Sequence, residues 1–302
     1  MKFSLIICTY QRPKPLLQLL QSVQEQTLYP DEILIIDGST NEATQFILEQ
    51  NHFQNVHYFL VPKEHRGLTK QRNFGIARVS KDNDVVCFLD DDTVLSADYF
   101  EQLLSTYQKY PDALGVGGYI HNETKWEFIG TIYKPQIDEF CFDGWKRKDG
   151  SRFVLRKKLG LDSDCPPGFS SLYSHGRSVG FLPPSGKIYE VEQLMGGVSS
   201  FQKKVFETHQ FSTYFEGYGL YEDADFCLRV AKTGKLYLLE MQEKYKIIEP
   251  LSCCLRASQS ISLWQNGSAK RLVCLAGEKS KTLMERPMEM ACDYFAVDFH
   301  SI

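Results

Sequence analysis

The chain has 302 residues, of which 43% are hydrophobic, and its formal net charge is -4 at pH 7. This hydrophobic fraction is enough for a substantial core, and the length suits one large domain or two smaller ones. The acidic balance argues against a protein that coats nucleic acid, since such proteins take most of their affinity from a basic surface. The nine cysteines have no CxxC spacing, which favours reduced thiols and a cytoplasmic location.

Short apolar runs alternate with longer amphipathic stretches over the first 120 residues. The apolar runs predict buried strands at 3–10, 32–37, 56–61 and 84–90. The amphipathic stretches predict helices at 15–26, 41–50 and 68–80. This alternation predicts an α/β fold with a Rossmann-like, mostly parallel central sheet flanked by helices, in which ligands bind outside the carboxyl ends of the strands.

The pattern loosens from about residue 120 to residue 190 and then becomes regular again. We expect Gly196 and Gly197 to precede a helix, and Tyr221 to Lys232 to form another helix with Gly234 as its C-cap. A strand is predicted at 235–240.

Three consecutive aspartates, Asp90, Asp91 and Asp92, follow the fourth predicted strand. One of them could cap a helix, where an acidic side chain gains up to about 1 kcal/mol from the helix dipole. Three adjacent like charges repel one another, however, unless a cation intervenes. Mg²⁺ and Mn²⁺ accept one or two carboxylates and fill their other positions with water and phosphate oxygens. The aspartates therefore predict a site for a metal-bound diphosphate.

Four segments together resemble glycosyltransferase family 2 over about residues 3–118 and 190–240. They contain "SLIICTYQRPKPLLQLL", "GLTKQRNFGIARVSKDNDVVCFLDDDTVLSADYF", "MGGVSSFQKKVF" and "EGYGLYEDADFCLRVAKTGKLYLL". The resemblance implies the GT-A fold and the metal-dependent, inverting transfer of a sugar from a nucleotide diphosphate sugar, with UDP or dTDP favoured. The acceptor would be a hydroxyl of a glycan or lipid-linked glycan.

The resemblance also implies an organisation along the chain. Residues 1–120 would form the nucleotide-sugar-binding half of the domain, and residues 121–245 the acceptor-binding half with the catalytic base. Residues 246–302 form a C-terminal tail that does not resemble the family. The family further suggests a role in polysaccharide or glycolipid assembly at the inner face of a membrane.

By resemblance, the turn after the first strand contacts the base and ribose through Thr9, Tyr10 and Arg12. A tyrosine ring suits this role because it can stack on a pyrimidine base. Asp37 would accept a hydrogen bond from the base, although the second acid usual in the family is here Gly38. The alternative for Asp37 is a cap of the following helix.

The other donor contacts implied by the resemblance fall on "KQRN" and "DDD". Lys70 and Arg72 would contact the nucleotide, and the alternative is that both are solvated helix positions. Asp90 would contact the ribose or the metal ion, and Asp92 would bind the Mg²⁺ or Mn²⁺ directly. Asp91 would face either the sugar or solvent.

The motif "YEDAD" would supply the catalytic base. By resemblance, Asp223 deprotonates the acceptor hydroxyl, with Glu222 beside it, because an inverting reaction needs a carboxylate opposite the leaving diphosphate. The alternative is a solvated acidic first turn formed by Glu222, Asp223 and Asp225. Gly196 and Gly197 would allow the backbone to approach the donor sugar closely.

Residues 145–158 carry seven Lys or Arg and one Asp. This basic run would contact an anionic membrane or a lipid diphosphate acceptor, which would make the cytoplasmic protein peripheral to the membrane. A solvated loop is the alternative.

Two other functions fit part of the sequence. "FLDDDTV" also fits the signature of aspartate-nucleophile phosphatases and phosphotransferases, in which Asp90 would be the nucleophile and Asp92 the acid. That motif normally ends the first strand of its domain, whereas here it ends the fourth. A non-catalytic scaffold with the GT-A fold is the remaining hypothesis, and the intact aspartates and "YEDAD" argue against it.

Overall fold

The computed structural model of the chain describes residues 1–120, 124–171, 176–215 and 220–239. The predicted tail at 246–302 lies outside the described residues. The described residues divide into two compact units, of which the larger comprises those within 1–125 and 182–239, and the smaller comprises those within 126–181.

Strands, helices and short 3-10 turns alternate along the described chain. The strands are β1 (Phe3–Thr9), β2 (Glu32–Asp37), β3 (Val56–Leu60), β4 (Val85–Asp90), β5 (Ala113–Gly117), β6 (Glu127–Phe128), β7 (Glu139–Phe142), β8 (Trp145–Lys148), β9 (Tyr189–Val191), β10 (Val198–Gln202) and β11 (Lys235–Leu238). The α-helices are α1 (Pro13–Gln24), α2 (Ala43–Gln50), α3 (Leu68–Ile76), α4 (Tyr99–Lys109), α5 (Ser151–Lys158) and α6 (Glu222–Ala231). The 3-10 turns span Lys63–His65, Val179–Phe181, Lys203–Glu207 and Thr213–Phe215.

The larger unit contains an eight-stranded sheet in the order β3-β2-β1-β4-β10-β5-β11-β9. The first four strands are mutually parallel, whereas β10 runs antiparallel to both of its neighbours. The predicted mostly parallel sheet is therefore confirmed. In its register Thr9 pairs with Asp37, and Cys8 pairs with Asp90. The polar residues that end β1, β2 and β4 consequently lie along one edge of the sheet.

Apolar side chains on both faces of the sheet explain the continuous hydrophobic runs of its central strands. On one face, α1 buries Leu16, Leu19, Leu20 and Val23, which recur at helical spacing. Burial of each such side chain stabilises the fold by about 1.5–3 kcal/mol. On the other face α3 lies so close that a Cβ at Gly75 would be 3.0 Å from Ile6. The core thus fixes the strand ends that carry the predicted site.

Two local expectations were wrong. Gly196 and Gly197 precede strand β10 and not a helix, because the short segment at 198–202 is inserted between β4 and β5 with its apolar residues buried. Helix α6 ends at Ala231 and its C-cap is Lys232, so Gly234 does not cap it.

The smaller unit has a three-stranded antiparallel sheet in the order β6-β8-β7, followed by α5. At its centre the buried Arg177 pairs with Asp149 at 3.1 Å and with Asp162 at 2.7 Å. The guanidinium also lies 4.4 Å from the ring of Phe140 and 4.6 Å from that of Phe153. A buried cation held by carboxylates and aromatic faces thus organises this unit.

None of the helices in the described part of the chain has the length and apolar character needed to cross a membrane.

Candidate active site

The three aspartates at the end of β4 point to different partners. The carboxylate of Asp90 faces Arg72, with 3.7 Å between Oδ1 and Nη2, and its side chain is 48% exposed. Asp91 and Asp92 instead turn toward the loop after β1, and only 4% of each side chain is exposed. Asp90 is therefore the most accessible carboxylate of the three.

Arg12 balances the two buried aspartates. Its Nη1 lies 2.7 Å from Oδ1 of Asp91, and its Nη2 lies 2.7 Å from Oδ2 of Asp92. The Thr9 hydroxyl donates to Oδ2 of Asp91 at 2.6 Å. Burial raises the pKa of Asp91 to about 7, although Thr9 and Arg12 oppose the rise. Arg12 and Thr9 thus stabilise side chains that would otherwise be costly to bury.

Arg72 on α3 joins the aspartate end of β4 to the "YEDAD" helix. It is buried, with Nη1 3.2 Å from Oε1 of Glu222 and Nη2 donating to the backbone carbonyl of Gly196 at 3.1 Å. Its guanidinium carbon lies 5.1 Å from the ring centre of Phe211. One buried cation therefore contacts both Asp90 and Glu222, which are far apart in the sequence.

Helix α6 presents two carboxylates with different surroundings. The side chain of Glu222 is only 7% exposed, and burial together with the charge of Asp223 raises its pKa, while Arg72 acts in the opposite direction. Asp223 is partly exposed and accepts hydrogen bonds from the backbone N–H of Gly196 at 3.1 Å and of Ala224 at 2.7 Å. Since Glu222 is buried, this first turn is not the uniformly solvated one of the alternative interpretation.

Gly196 and Gly197 leave room for the charged side chains around them. A Cβ at Gly197 would lie 2.6 Å from the carboxylate carbon of Asp90. A Cβ at Gly196 would lie 3.0 Å from Cβ of Asp223 and 3.1 Å from Nη2 of Arg72. Both glycines therefore let the strand ends pack closely against the site.

Changing Gly197 to alanine should displace Asp90 and destabilise the fold by about 1–3 kcal/mol, because an added methyl group must push atoms apart. Denaturant unfolding of the variant measures this. Gly180→Ala is the matched control, since the atom nearest to its Cβ would be 3.6 Å away, which is ordinary contact. Equal stability of the two variants would contradict the close packing of Gly197 on Asp90.

Asp37 ends β2 and is fully buried. Its Oδ1 accepts from the backbone N–H of Ser39 at 2.8 Å, and its Oδ2 accepts from the Tyr58 hydroxyl at 3.0 Å. It does not cap α2, which begins at Ala43. Each oxygen of Asp37 thus accepts one hydrogen bond and can accept a second, and the predicted base contact stays a prediction.

Two other predicted donor residues lie beside this edge of the sheet. The ring of Tyr10, which follows β1 directly, is 53% exposed and can be stacked upon. Lys70 is half-buried on α3. Both nucleotide contacts stay predictions.

Gln71 is a residue of the site that the sequence analysis missed. Its side-chain amide donates to the backbone carbonyls of Thr9 at 3.1 Å and Ile36 at 2.7 Å. These two bonds hold the ends of β1 and β2 together beneath the loop that carries Tyr10. The sequence offered only the position of Gln71 between Lys70 and Arg72 as a signal, because the burial of its side chain is seen only in the structure.

The side chains around Arg12 and Arg72 fit a cation that arrives with its own ligands. In the part of the chain that the structure describes, no three His, Cys, Asp or Glu residues form a ready metal site. Mg²⁺ or Mn²⁺ bound to a diphosphate needs only one or two protein carboxylates. Four carboxyl groups pair with two guanidinium groups, and a fifth lies beside them, so carboxyl groups outnumber guanidinium groups: Asp90, Asp91, Asp92 and Glu222, with Asp223, against Arg12 and Arg72. Asp90 is the accessible carboxylate of the three aspartates, whereas Asp92 is held by Arg12.

Comparison with known proteins adds sequence relatives. The family described as Glycosyl transferase family 2 matches residues 4–174. A glucosyl-dolichyl phosphate glucuronosyltransferase of Haloferax volcanii is 33% identical over 123 residues, which are 39% of this chain and 38% of that protein. A UDP-Gal:alpha-D-GlcNAc-diphosphoundecaprenol beta-1,3-galactosyltransferase of Escherichia coli is 30% identical over 160 residues, 52% of this chain and 49% of that protein. The chain therefore spans half or less of the length of these two relatives.

A solved structure shows the same fold. The crystal structure of GalNAc-T7 with UDP, GalNAc and Mn²⁺ has a TM-score of 0.52 and 18% identity to this chain, and the match covers 79% of this chain and 42% of that one. The predicted GT-A fold is confirmed by this similarity.

Proposed function

Because the chain belongs to glycosyl transferase family 2, we propose that it transfers a sugar from a nucleotide diphosphate sugar to a hydroxyl of a glycan or lipid-linked glycan, with inversion of configuration. The observation that carries the proposal is the buried Arg72. It holds Asp90, at the predicted donor site, and Glu222, beside the predicted base, within 3.7 Å and 3.2 Å of one guanidinium. The groups proposed to bind the donor and to deprotonate the acceptor would thus lie next to each other.

Asp223 is the proposed base. Its carboxylate is partly exposed and is oriented by the backbone N–H groups of Gly196 and Ala224. Glu222 is a less suitable base because its side chain is buried and paired with Arg72. Asp223 would take the proton of the acceptor hydroxyl as that oxygen attacks the anomeric carbon and the bond to the diphosphate breaks.

The donor would bind along the edge formed by β1, β2 and β4. Exposed Tyr10 would stack on the base, and Lys70 would contact the nucleotide. For Arg12 the contacts favour a different role from the predicted one, namely positioning Asp91 and Asp92. A UDP-type donor is supported by the names of the E. coli relative and of the GalNAc-T7 structure.

We propose that Mg²⁺ or Mn²⁺ accompanies the donor. Asp90 would hold the ion, with Asp92 as the second ligand once Arg12 shares or releases it. The bound ion would neutralise charge that develops on the leaving diphosphate. The Mn²⁺ named with the GalNAc-T7 structure supports this proposal.

A lipid-linked acceptor is supported by the names of two relatives, one acting on a dolichyl phosphate and the other on a diphosphoundecaprenol. The free acceptor hydroxyl would have to reach Asp223.

Incubation of the protein with Mn²⁺ and a panel of UDP-, GDP- and dTDP-sugars tests the proposal. We expect slow nucleotide release from one donor, and Asp90→Asn should reduce that release by more than about tenfold because the accessible metal and donor ligand is lost. Asp98→Asn is a control on an aspartate outside the charged cluster, at the N-cap of α4. Release that is unaffected by Asp90→Asn would contradict the assignment of Asp90.

The same incubation, with simple phosphate monoesters added to the substrate panel, separates the two rival functions. Phosphate release from simple monoesters with labelling of Asp90 would indicate the phosphotransferase. That mechanism needs Asp92 as a proton donor to the substrate, whereas Asp92 is buried and paired with Arg12 at 2.7 Å. If the protein neither binds a donor nor releases nucleotide from one, the non-catalytic scaffold is indicated.

A further inference from the structure

The basic run at 145–158 divides into two groups of cations. Four of its seven side chains are bound within the smaller unit: Lys146 by Glu139, Arg147 by the Gly180 carbonyl, Lys148 by Asp138 and Lys157 by Asp149. The remaining three lie on helix α5, where Lys158 is exposed and Arg152 and Arg156 are half-buried. A contact between the run and a partner would therefore involve α5 rather than the strand before it.

The inner face of α5 is attached to the smaller unit. The ring of Phe153 lies 5.0 Å from that of Phe181 and 4.6 Å from the guanidinium carbon of Arg177. The ammonium group of Lys157 donates to the Glu139 carbonyl at 2.6 Å. These contacts fix the rotation of α5 about its axis, so the residues opposite Phe153 and Lys157 face away from the smaller unit.

The outer face carries unusually exposed leucines. Leu155 and Leu159, one turn apart, are 58% and 60% exposed. The helix ends at Lys158, and Gly160 follows its C-cap with a φ of 68°, which allows the Leu161 N–H to donate to the Arg156 carbonyl at 2.8 Å. This turn keeps Leu161, 59% exposed, beside the last turn of the helix. Leu155, Leu159 and Leu161 are the three most exposed leucines among the residues that the structure describes.

Cations flank the leucines on both sides. At 100° per residue, Leu155 and Leu159 lie close together around the helix, with Lys158 on one side and Arg152 and Arg156 on the other. An apolar strip bordered by Lys and Arg is typical of helices that lie in the interface of an anionic membrane.

We propose that α5 docks this protein on the surface of an anionic lipid bilayer. Leu155, Leu159 and Leu161 would insert at the boundary between headgroups and acyl chains, and Arg152 and Lys158 would contact lipid phosphates. Charge complementarity favours this occupant over a second copy of the chain. A two-fold symmetric dimer through this face would bring the same cations of both copies together. The proposal does not depend on the transferase reaction.

Co-sedimentation of the full chain with vesicles tests the proposal. We expect binding to vesicles of phosphatidylcholine and phosphatidylglycerol, weaker binding at high salt, and little binding to phosphatidylcholine alone. The variant Arg152→Gln/Lys158→Gln should bind about fivefold more weakly for each cation removed. The variant Leu155→Gln/Leu159→Gln should lose at least about tenfold, since two exposed leucines can no longer be buried.

Phe46→Gln is the matched control, because Phe46 is 60% exposed on α2 in the larger unit and should not affect vesicle binding. Circular dichroism checks that each variant is folded. The proposal is overturned if the wild-type chain binds no anionic vesicle, or if the leucine variant binds as well as wild type. A change of oligomeric mass in the leucine variant without vesicles would also overturn it, in favour of a second copy. The assay contains no donor, so its failure leaves the proposed transferase function untouched.

Discussion

Replacement of Asp223 by asparagine should lower turnover by about 10²- to 10⁴-fold, which is the usual contribution of a positioned general base. Asparagine retains a carbonyl oxygen that can accept from the Gly196 N–H, so the helix start should keep its geometry. What is lost is the ability to take a proton from the acceptor hydroxyl. Steady-state turnover and donor affinity, measured separately, show whether the loss is confined to the chemical step.

Asp225→Asn is the matched control for this prediction. Asp225 is an acid of the same first turn, but its carboxylate pairs with Arg229 at 2.7 Å instead of facing Gly196. We expect its turnover to stay near the wild-type value. The assignment of Asp223 is wrong if its asparagine variant turns over within a few-fold of wild type, or if donor affinity falls as much as turnover does.

Replacement of Arg72 by methionine should destabilise the protein by about 3–5 kcal/mol, since removing one partner of a buried ion pair leaves the other charge uncompensated. Most of this cost should come from Glu222, whose side chain is 7% exposed, and little from Asp90, whose side chain is 48% exposed. Urea unfolding measures the change. Arg78→Met, on an exposed arginine just after the same helix, should change stability by only about 0.5–1 kcal/mol, the usual contribution of an exposed cation over an aromatic ring, here that of Phe74.

Two further measurements separate the ion pair from general damage by Arg72→Met. A second substitution, Glu222→Met, should restore much of the stability, because a buried ion pair replaced by apolar side chains is often neutral. The deficit of the single variant should also shrink as the pH falls. Burial already raises the pKa of Glu222, so the folded state binds this proton more tightly than the unfolded state and loses the associated stability as the pH rises. The pairing of Arg72 with Glu222 would be contradicted if neither Glu222→Met nor a lower pH reduced the stability loss of Arg72→Met.

Local sequence patterns were enough to predict the strands and helices that have continuous or periodic apolar residues. The continuous apolar runs of β1, β2 and β4 indicate strands covered on both faces, and the spacing of Leu16, Leu19 and Val23 is that of a helix with one apolar face. Parallel pairing then brings the carboxyl ends of these strands to one edge. The aspartates at the end of β4 could therefore be assigned to a ligand edge without coordinates.

Strand β10 could not be found in this way. Its five residues are too few to separate a strand from a helical turn, and its pairing partners β4 and β5 are distant in the chain. The smaller unit was missed for a similar reason, because its ion-paired centre around Arg177 and Asp149 leaves no long apolar run.

The sequence by itself determined the family, the sheet edge and the list of charged residues, because these depend on short-range patterns and on motif order. Only the tertiary structure decided which charged side chains form ion pairs with each other. It paired Asp91 and Asp92 with Arg12, left the Asp90 side chain 48% exposed, and buried Arg72 against Glu222. It also separated the leucine-bearing face of α5 from the rest of the basic run. Such pairings depend on distances between residues far apart in the chain, and burial determines how strongly each charge needs its partner.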